Sequence, residues 1–269
     1  MDILTHIAAG IAIGTTITIC TKGSALKKIG IVLAGALGGA LPDTDAVSMW
    51  SKFDVTFGKL FGLQHTGCEI YSAKFWYSHH GFMHSLLASV VFGFILLLIA
   101  YLLQQRFRKQ KSSFCQSFKR NIYIFLSFIS GFIAHLLCDM LTPAATWGGV
   151  NLFYPLNTYT GGWGKIWWWN NYDVFLIINT LITTNILILF ISQLTKAKLK
   201  IFSITVFVLA FAFIVIQVNT RKFDFNHTCS SAQVYQKYEA KSKEIQENIL
   251  GKKLYNSIKQ FDNSVSLNF

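Results

Sequence analysis

Four long stretches without a charged side chain, residues 85–103, 121–137, 174–192 and 201–218, constrain this chain more than any other feature. Each is close to the roughly 20 residues that a hydrocarbon core about 30 Å thick requires of a spanning helix. Two earlier apolar runs, residues 7–20 and 29–41, are shorter and rich in Gly and Ala. Small residues suit helices packed tightly inside a bundle better than helices facing lipid, and leave the membrane depth of these two runs open. The fold class expected is all-α, a polytopic transmembrane helix bundle. Composition agrees, because only 13% of the residues are charged, against about 25% in an average soluble domain.

A net charge of +12 would in a soluble protein raise the question of nucleic acid. Here the positions of the charges argue against it. Lys22, Lys27 and Lys28 follow the first run, Arg106, Arg108, Lys109, Lys111, Lys119 and Arg120 separate two long spans, and Lys196, Lys198 and Lys200 separate the last two. Lys and Arg concentrate in short cytoplasmic loops, so these three segments are expected inside. Alternation then puts residues 42–84, residues 142–173 and the tail from Asn219 outside. The N-terminus has no basic leader, so a cleaved signal peptide is not expected.

Residues 1–220 form the expected membrane-embedded domain and residues 221–269 a tail. The tail carries Val234, Tyr238, Ile245, Ile249 and Leu250 at helical intervals among Lys and Glu, the pattern of an amphipathic helix on the membrane or on the protein. Between the second and third long runs lie Trp147, Trp163, Trp167, Trp168 and Trp169, which read as an interfacial aromatic belt or as a lipid or sugar platform. The five cysteines show no metal-binding spacing; Cys68 and Cys229 share the outer side in this topology and could pair.

Ionisable residues near membrane depth are costly unless paired, bound to metal or facing water. This chain has a set of them: His6, Asp43 with Asp45, His79 with His80 and His84, and His135 with Asp139. Singly, each has a structural explanation, such as a helix cap at Asp43 or Asp45. Three imidazoles within residues 79–84 have little packing purpose, and His79 or His80 can share a helical face with His84. His135 and Asp139, four apart in an apolar helix, lie on one face, and a single hydrogen bond between them leaves a carboxylate poorly compensated. The crossing order puts all four groups on the outer side. Mixed His and Asp ligation suits a divalent metal, with Zn²⁺ the first candidate, and more than four ligands would suffice for two metals.

The segments DILTHIAAG (2–10), LPDTD (41–45), HHGFMHS (79–85) and HLLCDMLT (135–142) resemble the family of inner membrane-associated, LexA-binding metal-dependent hydrolases. The resemblance covers about the first 160 residues and implies metal-ligand roles for His6, Asp43, Asp45, His79, His84, His135 and Asp139, and a multi-pass place in a bacterial inner membrane. His80 stands where the family usually has Arg, and Met83 where Thr is common. The ligand order is similar to that of zinc-dependent phospholipase C and its nuclease relatives, which are soluble.

The function this implies is a membrane-embedded metal-dependent hydrolase of a phosphoester or lipid-linked substrate, working through a metal-activated water that a carboxylate such as Asp45 orients. The alternative is a non-catalytic, metal-stabilised membrane scaffold or regulator. A transporter is the weaker expectation, since the polar set crowds one face and the last two spans lack acidic residues.

Overall fold

The structure is a computed structural model and describes residues 1–107, 113–195, 199–220, 225 and 232–264. Arg108, Lys109, Lys111, Lys196, Lys198, Lys222 and Cys229 lie outside the described residues. Lipid offers the backbone no hydrogen-bond partner, so a spanning segment satisfies its own N–H and C=O groups as a helix or a closed barrel. This chain takes the helical solution: among the described residues there is no strand, only the isolated bridges Pro143 with Trp163 and Val150 with Thr160.

The helices are α1 (Ile3–Cys20), α2 (Ala25–Ala40), α3 (Lys59–Phe61), α4 (Gly67–Ser72), α5 (Leu86–Phe107), α6 (Phe114–Leu141), α7 (Tyr172–Thr195), α8 (Lys200–Thr220), α9 (Ala232–Leu250) and α10 (Lys252–Ser264). Short 3-10 segments at Pro42–Met49 and Phe82–His84, and a π turn at Asp54–Gly58, lie between α2 and α5. Among the described residues α1, α5, α6, α7 and α8 are each long and apolar enough to cross a membrane; α2 reaches that only together with Pro42–Met49, across a 45° bend.

Helix ends follow caps more than charges. The Asp2 carboxylate accepts from Thr5 N–H at the start of α1. Ser113 and Gln116 form a capping box that starts α6 seven residues before the apolar run expected from residue 121, so Lys119 and Arg120 lie within the helix.

The two Gly-rich helices do pack inside the bundle. α1 runs antiparallel to α2, and α2 parallel to α6, with backbone against backbone: a Cβ at Gly10 would meet Gly35 O at 2.1 Å, one at Gly39 would meet His6 O at 2.3 Å, and one at Gly38 would meet Phe128 O at 2.1 Å. Ser127 Oγ–H closes the α2–α6 seam by donating to Ile31 O at 2.7 Å. α7 joins this trio through buried Asn185, whose Nδ2 donates to Thr15 Oγ1 and Thr16 Oγ1 while Ser203 of α8 donates to its Oδ1. Outward, α5 and α8 present Leu98, Leu102, Leu209, Phe211 and others to lipid.

The tail helix α9 lies on the protein. Trp167 and Asn170 donate to Glu239, and Trp167 packs against Phe225, Tyr235 and Tyr238. Trp167 is buried beneath these residues and Trp147 against Tyr71, His79 and His80, so neither lies in an interfacial belt; Trp163 and Trp169 remain exposed. Cys68 is a free, exposed thiol.

Candidate metal centre

The first turn of α1, the last turn of α2, the segment before α5 and the last two turns of α6 meet at one end of the bundle. That end carries the titratable set. His6 comes from α1, Asp43 and Asp45 from the 3-10 segment that Pro42 opens after α2, His84 from the turn before α5, and His135 and Asp139 from α6.

One ligand atom from each of Asp43, His84, His135 and Asp139 can be chosen so that all four lie within 4.8 Å of one another, and the three α6 and loop members are buried. His135 Nε2 is 2.9 Å from Asp139 Oδ2 and 3.5 Å from Asp43 Oδ1; His84 Nε2 is 3.5 Å from Asp139 Oδ2 and 3.8 Å from Asp43 Oδ1. His6 stacks on His135 with ring centroids 3.7 Å apart, and its Nε2 is 3.1 Å from Asp139 Oδ1. The Met1 amino group lies 2.7 Å from the same oxygen. A second group, His79, His80 and His84, also falls within 4.8 Å.

The hydrogen bonds fix which imidazole nitrogen is free. A carboxylate or carbonyl oxygen only accepts, so each ring nitrogen bonded to one carries the hydrogen. His84 Nδ1 donates to Asp45 Oδ2 at 3.0 Å, His79 Nδ1 to Asp45 Oδ1 at 2.7 Å, His135 Nδ1 to Gly39 O at 2.7 Å and His80 Nδ1 to Gly149 O at 2.8 Å. The Nε2 atoms of His84 and His135 are thereby turned toward each other, 3.3 Å apart. Two bare lone pairs at that distance repel, so a proton or a cation must be shared there. Imidazoles held through one nitrogen by a carboxylate or carbonyl are the usual form of metal-ligating His.

Both nitrogens of His6 and Asp139 Oδ2 are buried without a hydrogen bond among the described residues, because their close neighbours stand at angles that make none. Orphaned donors and acceptors of this kind are expensive in a dry site unless something else engages them. The donor set, two imidazoles and two carboxylates, is one that a divalent metal accepts, so this group can hold such an ion.

Electrostatics at the loop histidines divide them. Burial alone would lower the pKa of His84, but the adjacent Asp45, Asp139 and Asp43 carboxylates outweigh it and hold it well above the usual value. Burial pushes His80 well below the usual value, with His79 and His84 adding repulsion. His80 also sits at φ 63°, a conformation uncommon outside Gly and Asn, and Trp147 packs over it at 4.5 Å.

The expected helical face shared by His79 or His80 with His84 is not there. Residues 78–81 are turns and His84 ends a single 3-10 turn, because His80 turns left-handed and Gly81 lies folded among the carbonyls of Phe75, Trp76 and Ser78. Turns bring the three rings together instead. Asp45 stands behind His79 and His84 with both oxygens engaged, outside the group of four. The carbonyls of Gly39 and Gly149, and the rings of Tyr71 and Trp147 over His79, were invisible in the sequence. Backbone acceptors leave no residue-type signal. The nearest hint was Gly38–Gly39, one residue ahead of the LPDTD segment.

No curated protein and no solved structure matches the chain. The family described as YdjM inner membrane protein matches residues 1–223, which include every helix of the bundle and every residue of the His and Asp group. Together with the spanning helices, this makes the chain a multi-pass inner membrane protein that contacts membrane lipids. The chain belongs to the YdjM inner membrane protein family.

Proposed function

We propose that the chain is a membrane-embedded metal-dependent hydrolase of a phosphoester or lipid-linked substrate, with its centre at the non-cytoplasmic end of the bundle. The observation that carries this reading is the group of partly buried Asp43 and buried His84, His135 and Asp139, with the Nδ1 atoms of both histidines tied back and both Nε2 atoms left facing the carboxylates. The buried His6 nitrogens and Asp139 Oδ2, which make no hydrogen bond among the described residues, support an ion in addition to the pairing of the rings with the carboxylates.

In this reading Asp43, His84, His135 and Asp139 hold the metal, with Zn²⁺ favoured by the mixed nitrogen and oxygen donors. His6 borders the same carboxylate and is the next ligand in reach. When bound, such a metal polarises phosphoryl oxygens and lowers the pKa of water. Asp45 orients His79 and His84; acting directly on a water would require it to release one of them. His79 and His80, lying beside His84, are placed to complete a second ligand group or to face substrate.

The test is metal analysis of detergent-purified protein, followed by turnover of soluble phosphodiesters and of phospholipids. Stoichiometric divalent metal with turnover that is lost in His84→Ala supports the hydrolase. Stoichiometric metal without turnover on either substrate class favours a metal-stabilised scaffold, and metal-free folded protein removes both readings.

A further inference from the structure

Between α2 and α5 the chain leaves the bundle for some forty residues, and this excursion encloses a cavity of about 290 Å³. Its walls are Phe53, Phe57, Phe61, Leu63 and Ile70, brought together by the π turn at Asp54–Gly58, α3 and α4. The π turn and the capping box of Thr66 with Glu69 fix these short elements, and Asp54 Oδ1 accepts from Gly67 N–H at 2.7 Å to tie them together. Gly67 is needed there, since a Cβ would meet Ser48 O at 1.9 Å.

Asp45, Ser48 and Tyr77 interrupt the apolar wall, and Ser48 points to a ligand. Asp45 lines the cavity while bonding His79 and His84, so cavity and candidate centre share one residue as a partition. Ser48, 5% exposed, lines it too, and its Oγ has no hydrogen-bond partner among the described residues. A buried hydroxyl facing an apolar cavity asks for an acceptor or donor on whatever enters.

The rim is apolar and outward. Phe61 of the wall is 67% exposed, its chain neighbour Leu60 73% and Val55 of the π turn 70%, and Trp50 lies 6.2 Å from the ring of Phe57. In water a patch of this kind marks a contact surface. Here it belongs to a segment that begins where α2 ends, at the same end of the bundle as the candidate centre, so in a membrane protein a lipid is the apolar partner at hand.

We infer that this cavity is a chain-binding subsite, which takes the end of a lipid acyl or alkyl chain from the membrane and sets the phosphoester of that lipid against the His and Asp group. The inference rests on the hydrolase reading for the role of the headgroup, and names its substrate class as a membrane phospholipid rather than a soluble phosphoester. The volume is at the low end for ligand pockets, which span roughly 300 to 1,000 Å³, so it takes part of one chain while the remainder stays in the bilayer. Ser48 supplies the unpartnered hydroxyl in the cavity wall, and Asp45 is the acidic group that the cavity and the centre have in common.

The experiment uses the full chain in lipid nanodiscs with a hexadecyl phosphonate that carries a diazirine near the end of its chain. Its carbon–phosphorus bond resists hydrolysis, so binding is read independently of turnover. Photolysis and peptide mapping should place cross-links within residues 53–77. Leu63→Trp, which fills the cavity from its mouth, should lower that labelling by roughly tenfold, the equivalent of losing about two buried methylenes. Phe61→Glu, at an exposed rim position that tolerates a charge in the fold, should do the same and covers the case in which Leu63→Trp misfolds. Labelling confined to the exposed faces of α5 and α8, or unchanged in both variants, overturns the subsite. Phospholipid turnover in the same nanodiscs, measured in parallel without the phosphonate, separates the two readings: cross-links at 53–77 without turnover keep the subsite and sink the hydrolase, and turnover with labelling only on α5 and α8 does the reverse.

Discussion

At the scale of single residues, the candidate centre depends on what stands behind each ring. His135 is held by the carbonyl of Gly39, and His84 by Asp45, so the orientation of two Nε2 atoms comes from neighbours that need not touch a metal themselves. Under the proposed reading, His84→Ala and Asp139→Ala each remove a ligand and should abolish stoichiometric metal in folded protein; occupancy left intact in both would end the shared-site proposal. Asp45→Asn should behave differently. It keeps all four members of the group and loosens the tether of His84, so metal affinity should fall by about tenfold to a hundredfold, the usual effect of removing a carboxylate behind a ligating imidazole. Competition with a chromophoric chelator measures this, and a loss as complete as that of His84→Ala would place Asp45 among the ligands instead.

At the scale of elements, ligand placement rests on helix contacts that contain no ligand. Gly10 with Gly35, Gly39 with the His6 carbonyl and Gly38 with the Phe128 carbonyl let α1, α2 and α6 touch along their backbones, and this closeness is what brings His6 over His135. Gly35→Val would push a Cβ to within 2.3 Å of Gly10 O and 2.9 Å of Ser127 Oγ. Overpacking of that kind costs about 1 to 3 kcal/mol, and here it should also separate the ligands. Gly35→Val protein is therefore expected to lose metal as well as thermal stability, although Gly35 itself ligates nothing. Normal metal content in that variant would mean that the helices can part without moving the site. Asn185→Leu tests the other seam. It removes hydrogen bonds to Thr15, Thr16 and Ser203, each worth about 0.6 to 2 kcal/mol between membrane helices. Denaturation in detergent should show the loss while metal content stays, since this knot lies far along α1 from His6.

At the scale of the whole molecule, topology and the tail carry the remaining predictions. The basic segments predict that residues 106–120 face the cytoplasm, so a reporter fused after Lys111 should be active there and silent outside; the opposite result would invert the bundle and put the candidate centre on the cytoplasmic side. Ending the chain after Lys222 removes α9 and exposes Trp167, which now packs against Phe225, Tyr235 and Tyr238. Uncovering one large aromatic side chain costs about 1.5 to 3 kcal/mol. A lower melting temperature with unchanged metal content is the expected outcome, because every residue of the His and Asp group precedes residue 140; metal loss from a folded truncation would show that the tail completes the site.

The sequence alone determined the spanning helices and the side of the bundle to which polar groups belong, because hydrocarbon admits few solutions and alternation follows from the placement of Lys and Arg. Residues 85–103, 174–192 and 201–218 are legible for this reason, as α5, α7 and α8 each overrun them by only a few residues. His135 and Asp139 were legible as a pair through helical spacing. The tertiary structure alone decided that His84 is turned by Asp45 and His135 by Gly39 O, that HHGFMH folds as turns and not as a helix, and that Trp147 and Trp167 are buried instead of lying in a belt. Those outcomes depend on backbone carbonyls, on one left-handed residue at His80 and on contacts between segments far apart in the chain. Carbonyls are the same in every residue, and close helix approach is a property of pairs, so neither leaves a mark in a one-dimensional pattern of residue types.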